Sequence, residues 1–127
     1  MPAHDPRILI LEDEPLIAME LQETLEALGY EVAGPVSNCE AALELIWSDA
    51  VDAAVLDLIL GEGTCEVVAN ELSLSGIPWA FASGYDTHEL HEQFPEVPII
   101  EKPSRSESVA TVVKALLQPS EGKTASS

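Results

Sequence analysis

The sequence predicts an α/β fold: a doubly wound, five-stranded parallel sheet in the order 2-1-3-4-5, with helices on both faces. Three observations lead there. Short apolar, β-branched runs recur along the chain, separated by segments with helical apolar spacing, the pattern of repeated βα units. Four of the runs meet polar residues at their ends. Ile8-Leu9-Ile10-Leu11 meets Glu12-Asp13, Ala53-Ala54-Val55-Leu56 meets Asp57, Trp79-Ala80-Phe81-Ala82 meets Ser83, and Pro98-Ile99-Ile100-Glu101 meets Lys102-Pro103. The intervals agree with this reading. Ser83 follows Asp57 by 26 residues and Lys102 follows Ser83 by 19, one βα unit each, while Asp57 follows Asp13 by 44, room for two. A second strand with no polar terminus belongs at an edge, and right-handed crossovers then send helices to both faces.

The elements follow in order. Residues 1–6 are a short polar lead, and the first strand covers Arg7–Glu12. The first helix starts near Glu14 with Pro15 in its first turn, where a missing N–H costs little. Ile17, Leu21, Leu25 and Leu28 form its buried stripe, and Gly29 ends it. A short second strand spans Glu31–Gly34, and Asn38 caps a second helix through Trp47. The third strand, Asp52–Asp57, leads into a Gly61-Glu62-Gly63 loop and a helix over Cys65–Leu74. The fourth strand is Pro78–Ala82, broken by Ser83-Gly84. Asp86 and Glu89 have capping-box spacing ahead of a fourth helix whose only apolar pair is Leu90 and Phe94. The fifth strand is Val97–Ile100. Ser104 and Glu107 form a second capping box, and Val109, Val112, Val113 and Leu116 stripe the last helix. One domain, residues 7–118, is expected, with a disordered polar tail from Pro119.

Composition narrows the function. The chain has 127 residues, enough for one core. Apolar residues make up 46% with 5% aromatic, which predicts an aliphatic interior. Five basic residues against 23 acidic ones give a net charge of −18. That excludes nucleic acid and anionic membrane surfaces as direct partners, because both reward Lys and Arg. Cys39 and Cys65 have no metal-ligand spacing and read as reduced, partly buried thiols of a cytoplasmic protein. No apolar run approaches about 18 residues, and no signal-peptide pattern opens the chain.

In an open parallel sheet the carboxyl ends of the strands share one edge, where ligands bind at the topological switch point. Acids, a hydroxyl and a lysine converging there make a phosphoryl-transfer site. Each residue alone has a plainer reading. Asp57 could be a turn residue, Glu12-Asp13-Glu14 could charge the first turn of a helix, Ser83-Gly84 could be a turn, and Lys102 a solvated strand end. Together those readings need four coincidences at one sheet edge. His88 and His91 lack a third ligand and read as surface residues, while Trp47 and Trp79 read as core or edge packing.

These residues carry a resemblance. From Arg7 to Leu117 the chain resembles a response-regulator receiver domain, a flavodoxin-like (βα)5 sandwich. The match rests on the acidic pair Glu12-Asp13, Asp57, Ser83 and Lys102-Pro103 in order. The segment from Pro78 to Tyr85, with Pro98 to Pro103, is also similar to the subgroup known by its FATGUY motif, with Ser83 in place of the threonine. That subgroup consists largely of stand-alone receivers of alphaproteobacteria, served by sensor histidine kinases of the HWE or HisKA2 type. The resemblance therefore implies a bacterial, cytoplasmic, single-domain phosphoprotein of a two-component system. It would accept a phosphoryl group on Asp57 from a histidine kinase or a histidine phosphotransfer protein. Its signal would leave by contact with a downstream protein target or by passing the phosphoryl group on.

The implied roles follow from residue chemistry. Clustered carboxylates repel one another, and a hard divalent cation such as Mg²⁺ removes the penalty. Asp13 and Asp57 would be side-chain ligands, Glu12 a ligand through water, and the backbone carbonyl of Ile59 a further one. Asp57 would attack phosphorus while Lys102 neutralises one phosphoryl oxygen and Ser83 hydrogen-bonds another. The family commonly has a cis peptide after this lysine, which makes Pro103 a candidate. Two positions depart from the family pattern. Ile99 stands where an aromatic switch residue is common, so coupling between Ser83, position 99 and Lys102 would involve no ring. Ile59 puts an apolar side chain where many receivers carry a polar one. Two rival readings are an aspartyl-phosphate hydrolase, which would need an acid at Ile59, and a degenerate receiver acting as an unphosphorylated binding module. The intact set of acids, hydroxyl and lysine argues against the second.

Overall fold

From Ile8 onward Arg7–Leu11 (β1) is a continuous apolar run, as is Ala53–Leu56 (β3), and these runs are buried on the two faces of one sheet, as central parallel strands must be. The structure, a computed structural model, describes residues 5–48, 51–57, 59, 60, 63, 64, 66–83, 97–101 and 106–117. Beside β1 lies β2 (Glu31–Val36), and beyond β3 lie β6 (Trp79–Ser83) and β7 (Ile99–Glu101). All pairs are parallel and the order is β2-β1-β3-β6-β7, the expected 2-1-3-4-5 arrangement.

The period-two alternation of the strands divides the core. Ile8, Ile10, Ala53 and Val55 pack beneath α1 (Pro15–Ala27) and α4 (Ser106–Leu116), against Leu21, Leu25, Val109 and Val113. Leu9, Leu11, Ala54 and Leu56 face α2 (Cys39–Ser48) and α3 (Glu66–Leu74), against Ala42, Ile46, Val68 and Leu72. No helix among the described residues is long and apolar enough to cross a membrane.

Local chemistry sets the element ends. Pro15 opens α1, and Gly29, at φ +95°, follows its C-terminal cap, the left-handed conformation that glycine adopts without cost. Asn38 caps α2: its Oδ1 accepts the Ala41 N–H at 2.8 Å. At the amino edge of the sheet, the Arg7 N–H donates to Asp52 Oδ2 at 2.8 Å and its guanidinium sits 3.8 Å from Glu31. The acids at this edge tie strands together.

Several expectations are corrected. Leu28 is exposed, and Ala18 takes the place in the buried stripe of α1. The second strand runs past Gly34 to Val36, through a cis Gly34–Pro35 bond; Lys102–Pro103 lies outside the described residues. Ser83 closes β6 instead of breaking it, and β7 ends at Glu101. A short hairpin, β4 (Ile59–Leu60) with β5 (Gly63–Thr64), follows Asp57 where only a loop was expected. Trp79 is buried as expected, but Trp47 is 65% exposed: Ala42 and Ile46 fill the inward stripe of α2, and position 47 turns outward. Cys39 is not a reduced thiol but disulfide-bonded. The sequence did not show this, because the spacing of two cysteines does not state whether they meet in space. Cys65 itself, the segment 84–94 with its capping box, His88 and His91, and residues 1–4 and 118–127 lie outside the described residues.

Candidate functional site

The carboxyl ends of β1 and β3 are neighbours because the two strands pair directly, with Leu11 opposite Leu56. One residue further along each strand comes an acid. The Asp57 N–H donates to the Leu11 carbonyl at 2.8 Å, and the Glu12 N–H donates to the Val36 carbonyl at 2.9 Å. Each acid is thus held by a backbone bond that extends the ladder past the strand.

Gly34 makes the second bond possible. The β1–β2 register shifts between Leu9 and Leu11, and Gly34 sits at the irregularity with φ +98°. A Cβ there would lie 2.7 Å from the Val36 nitrogen and 3.2 Å from the Ile10 oxygen, so only glycine fits. Past this bulge the pairing resumes one residue further along β2, with Leu11 opposite Val36, and the Val36 carbonyl reaches the Glu12 N–H.

The result is a cluster of three carboxylates. Glu12, Asp13 and Asp57 each offer an oxygen, and these oxygens lie within 4.8 Å of one another. Glu12 and Asp57 are buried, and Asp13 is half-buried. Glu12 Oε2 also accepts the Glu14 N–H at 3.1 Å, which orients the carboxylate at the start of α1. The chemistry of this donor set fits a hard divalent cation: all oxygen, three formal charges, at the mouth of an open groove. The groove has a volume of about 510 Å³ and runs from Glu12 and Asp13 between α1 and residues 35–38 at the end of β2.

The remaining predicted residues fall as follows. Ser83 ends β6, two residues beyond Phe81, the partner of Leu56, so its backbone stands at the same sheet edge as Asp57. It pairs in register with Glu101, the last residue of β7 and the neighbour of Lys102 in sequence. Ile99 opens β7 and Ile59 opens β4, two residues after Asp57. Lys102 and Pro103 lie outside the described residues. Sequence reasoning brought the three acids together but missed the positioning roles of Gly34 and the Val36 carbonyl. The signal for them was the Gly34-Pro35 pair inside an apolar run.

No protein-family model matches the chain. Among curated proteins it is 32% identical over 114 residues to the phyllosphere-induced regulator PhyR of Methylorubrum extorquens, covering 87% of this chain and 43% of that protein. It is 31% identical over 88 residues to the transcriptional regulatory protein PdtaR of Mycobacterium tuberculosis, covering 68% of this chain and 43% of that one. The chain therefore spans less than half the length of these relatives. Among solved structures, SdrG of Sphingomonas melonis Fr1 superposes with a TM-score of 0.80 at 38% identity, over 93% of this chain and all of that one. SdrG has also been solved in a BeF3-activated conformation, with a TM-score of 0.77 at 36% identity over 92% of this chain. The receiver domain of the Erythrobacter litoralis response regulator PhyR superposes with a TM-score of 0.79 at 26% identity, covering 90% of this chain and 91% of that one. With 38% identity to SdrG over 93% of its own length and all of that chain, the chain belongs to the response-regulator receiver family of two-component systems.

Proposed function

We propose that this receiver accepts a phosphoryl group on Asp57. The carrying observation is the clustering of Glu12, Asp13 and Asp57 at the carboxyl edge of the central strands, the one such group of acids among the described residues. The BeF3-activated conformation of SdrG supports the same reading.

Glu12, Asp13 and Asp57, with the Ile59 backbone carbonyl, would hold a Mg²⁺ ion. When bound it neutralises the cluster and offsets the charge of an incoming phosphoryl group. Asp57 supplies the nucleophile. One carboxylate oxygen attacks phosphorus, the bond from phosphorus to the donor's imidazole nitrogen breaks, and the electron pair leaves with the histidine. Ser83 and Lys102 act on the phosphoryl oxygens, the hydroxyl by hydrogen bonding and the ammonium as a compact point charge. The donor is a sensor histidine kinase, of the HWE or HisKA2 type by the resemblance of the Pro78–Tyr85 segment, or a histidine phosphotransfer protein. In this reading the chain is a cytoplasmic phosphoacceptor within the unit 7–118, and its output is protein contact or onward transfer.

The test is direct. Incubation of the chain with acetyl phosphate and Mg²⁺, followed by intact-mass spectrometry, should show one added phosphoryl group that chelation of the metal prevents. Asp57→Asn should abolish it. Labelling that persists in Asp57→Asn, or that is indifferent to metal, would refute the assignment. A wild type that takes no label would favour the unphosphorylated binding module.

A further inference from the structure

We propose that the outer face of α2 and α3 is a docking surface for a basic amphipathic helix of another protein. The two helices pack side by side over one face of the sheet, and their inward stripes are filled by Ala42, Ile46, Val68 and Leu72. Their outward stripes are unusual. On α3, Val67, Glu71 and Leu74 recur at helical spacing, and Val67 and Leu74 are 53% and 84% exposed. On α2, Glu40, Glu44 and Trp47 form the matching stripe, with Trp47 65% exposed. The two stripes are joined: Trp47 Nε1 donates to Glu71 Oε2 at 3.0 Å. An exposed indole already fastened by its polar end loses little freedom on burial, which is the property of an interface anchor.

Charge selects the occupant. Neither helix contains a Lys or Arg, whereas the two together carry Glu40, Glu44, Glu66 and Glu71. The five basic residues of the chain are Arg7, Lys102, Arg105, Lys114 and Lys123, none of them on α2 or α3. A second copy of a chain carrying −18 would bring acids against acids. A partner helix with apolar residues at i, i+3 or i+4 and i+7, flanked by Lys and Arg, would bury Trp47, Val67 and Leu74 while its cations meet the glutamates. The inference does not depend on phosphorylation of Asp57, since it concerns a face on which that residue does not lie.

The two tryptophans make the test spectroscopic. Trp79 is buried, so a change in emission on partner binding reports Trp47. The probe is a Leu/Lys helical peptide of about 18 residues with its leucines on one face, long enough to fold on contact. A scrambled peptide of identical composition is the control. Salt is held at about 0.15 M to suppress diffuse attraction. The expected result is a saturable blue shift and protection of Trp47 from acrylamide quenching, with the scrambled peptide binding at least about tenfold more weakly. The doubly substituted Val67→Ser, Leu74→Ser chain, which retains every charge, should lose about tenfold in affinity with its circular dichroism unchanged. Should that variant misfold, Glu40→Gln with Glu44→Gln provides the second readout, weakening the peptide without touching the apolar stripe. Equal binding of the two peptides would overturn the proposal. So would undiminished binding by the correctly folded variants, or a blue shift produced by protein concentration alone, which would make the occupant a second copy.

Discussion

Replacing Asp13 by asparagine should make the metal-free protein more stable, although it removes a residue from the candidate site. Asp13 takes part in two of the three carboxylate pairs, whose oxygens lie within 4.8 Å. At that separation and an effective dielectric near 20, each pair of like charges costs about 3 kcal/mol. Asp13 is half-buried, so water and salt take back much of this, leaving a net gain of about 1–3 kcal/mol. A domain of this size gains about 3–6 °C in melting temperature per kcal/mol, so the midpoint should rise by several degrees. The assay is thermal denaturation by circular dichroism, first in EDTA and then across a Mg²⁺ titration. In EDTA the Asp13→Asn chain should melt above the wild type. As Mg²⁺ is added the wild type should climb with the logarithm of metal concentration, as any ligand of the native state requires, while the variant should stay nearly flat. A lower melting point for Asp13→Asn in EDTA, or an equal response of both chains to Mg²⁺, would refute the reasoning.

Three further outcomes test how the site is supported. Gly34→Ala places a Cβ 2.7 Å from the Val36 nitrogen at a φ of +98°, and should cost about 2 kcal/mol or more in urea denaturation. Leu56→Ala, at a side chain fully buried beneath α2 and α3, should cost about 2–5 kcal/mol by the same measurement. Asn38→Ala removes the Oδ1 that accepts the Ala41 N–H and should cost about 1 kcal/mol, with faster amide exchange confined to the first turn of α2.

The sheet order and the acidic cluster were legible in the sequence for one reason: period-two burial and strand-end chemistry are local signals. Val55 and Leu56 point to opposite faces whatever the helices do, and an acid one residue later must emerge at the strand end. Signals that depend on three-dimensional neighbours were lost. Trp47 read as core or edge packing because its hydrophobicity is visible in sequence, whereas its place on the outward stripe of α2 is set by how that helix packs. The disulfide at Cys39 was invisible because the spacing of two cysteines in a sequence does not state whether they meet in space. The extension of β2 through Gly34-Pro35 was missed because the pair reads as a turn, whereas tertiary pairing with β1 turns it into a bulge.

That bulge explains why the three acids stay together despite their repulsion. A carboxylate pair at the surface relaxes by rotating into water or by letting its strand fray. Neither exit is open to Glu12 and Asp57, which are buried and whose N–H groups are bonded to the Val36 and Leu11 carbonyls. Sliding β1 against β3 by one residue would relieve the contact between the acids, but it would also turn Ile8 and Ile10 toward α2 and α3, and Leu9 and Leu11 toward α1 and α4. All four side chains are fully buried where they stand, and exchanging their faces would cost far more than the repulsion relieved. The cluster is therefore held under electrostatic load by the most deeply packed part of the molecule. A ligand that neutralises the load gains as binding energy the part that solvent has not already screened, because the strands holding Glu12 and Asp57 cannot dissipate it first. This predicts that loosening the scaffold weakens the ligand. Leu56→Ala, which removes no oxygen of the site, should lower Mg²⁺ affinity measured by calorimetry as well as stability, since a cavity beneath β3 lets Asp57 retreat. Metal affinity identical to wild type in a folded Leu56→Ala chain would mean that the strands do not hold the acids in place, and that the cluster is kept together by its own local contacts.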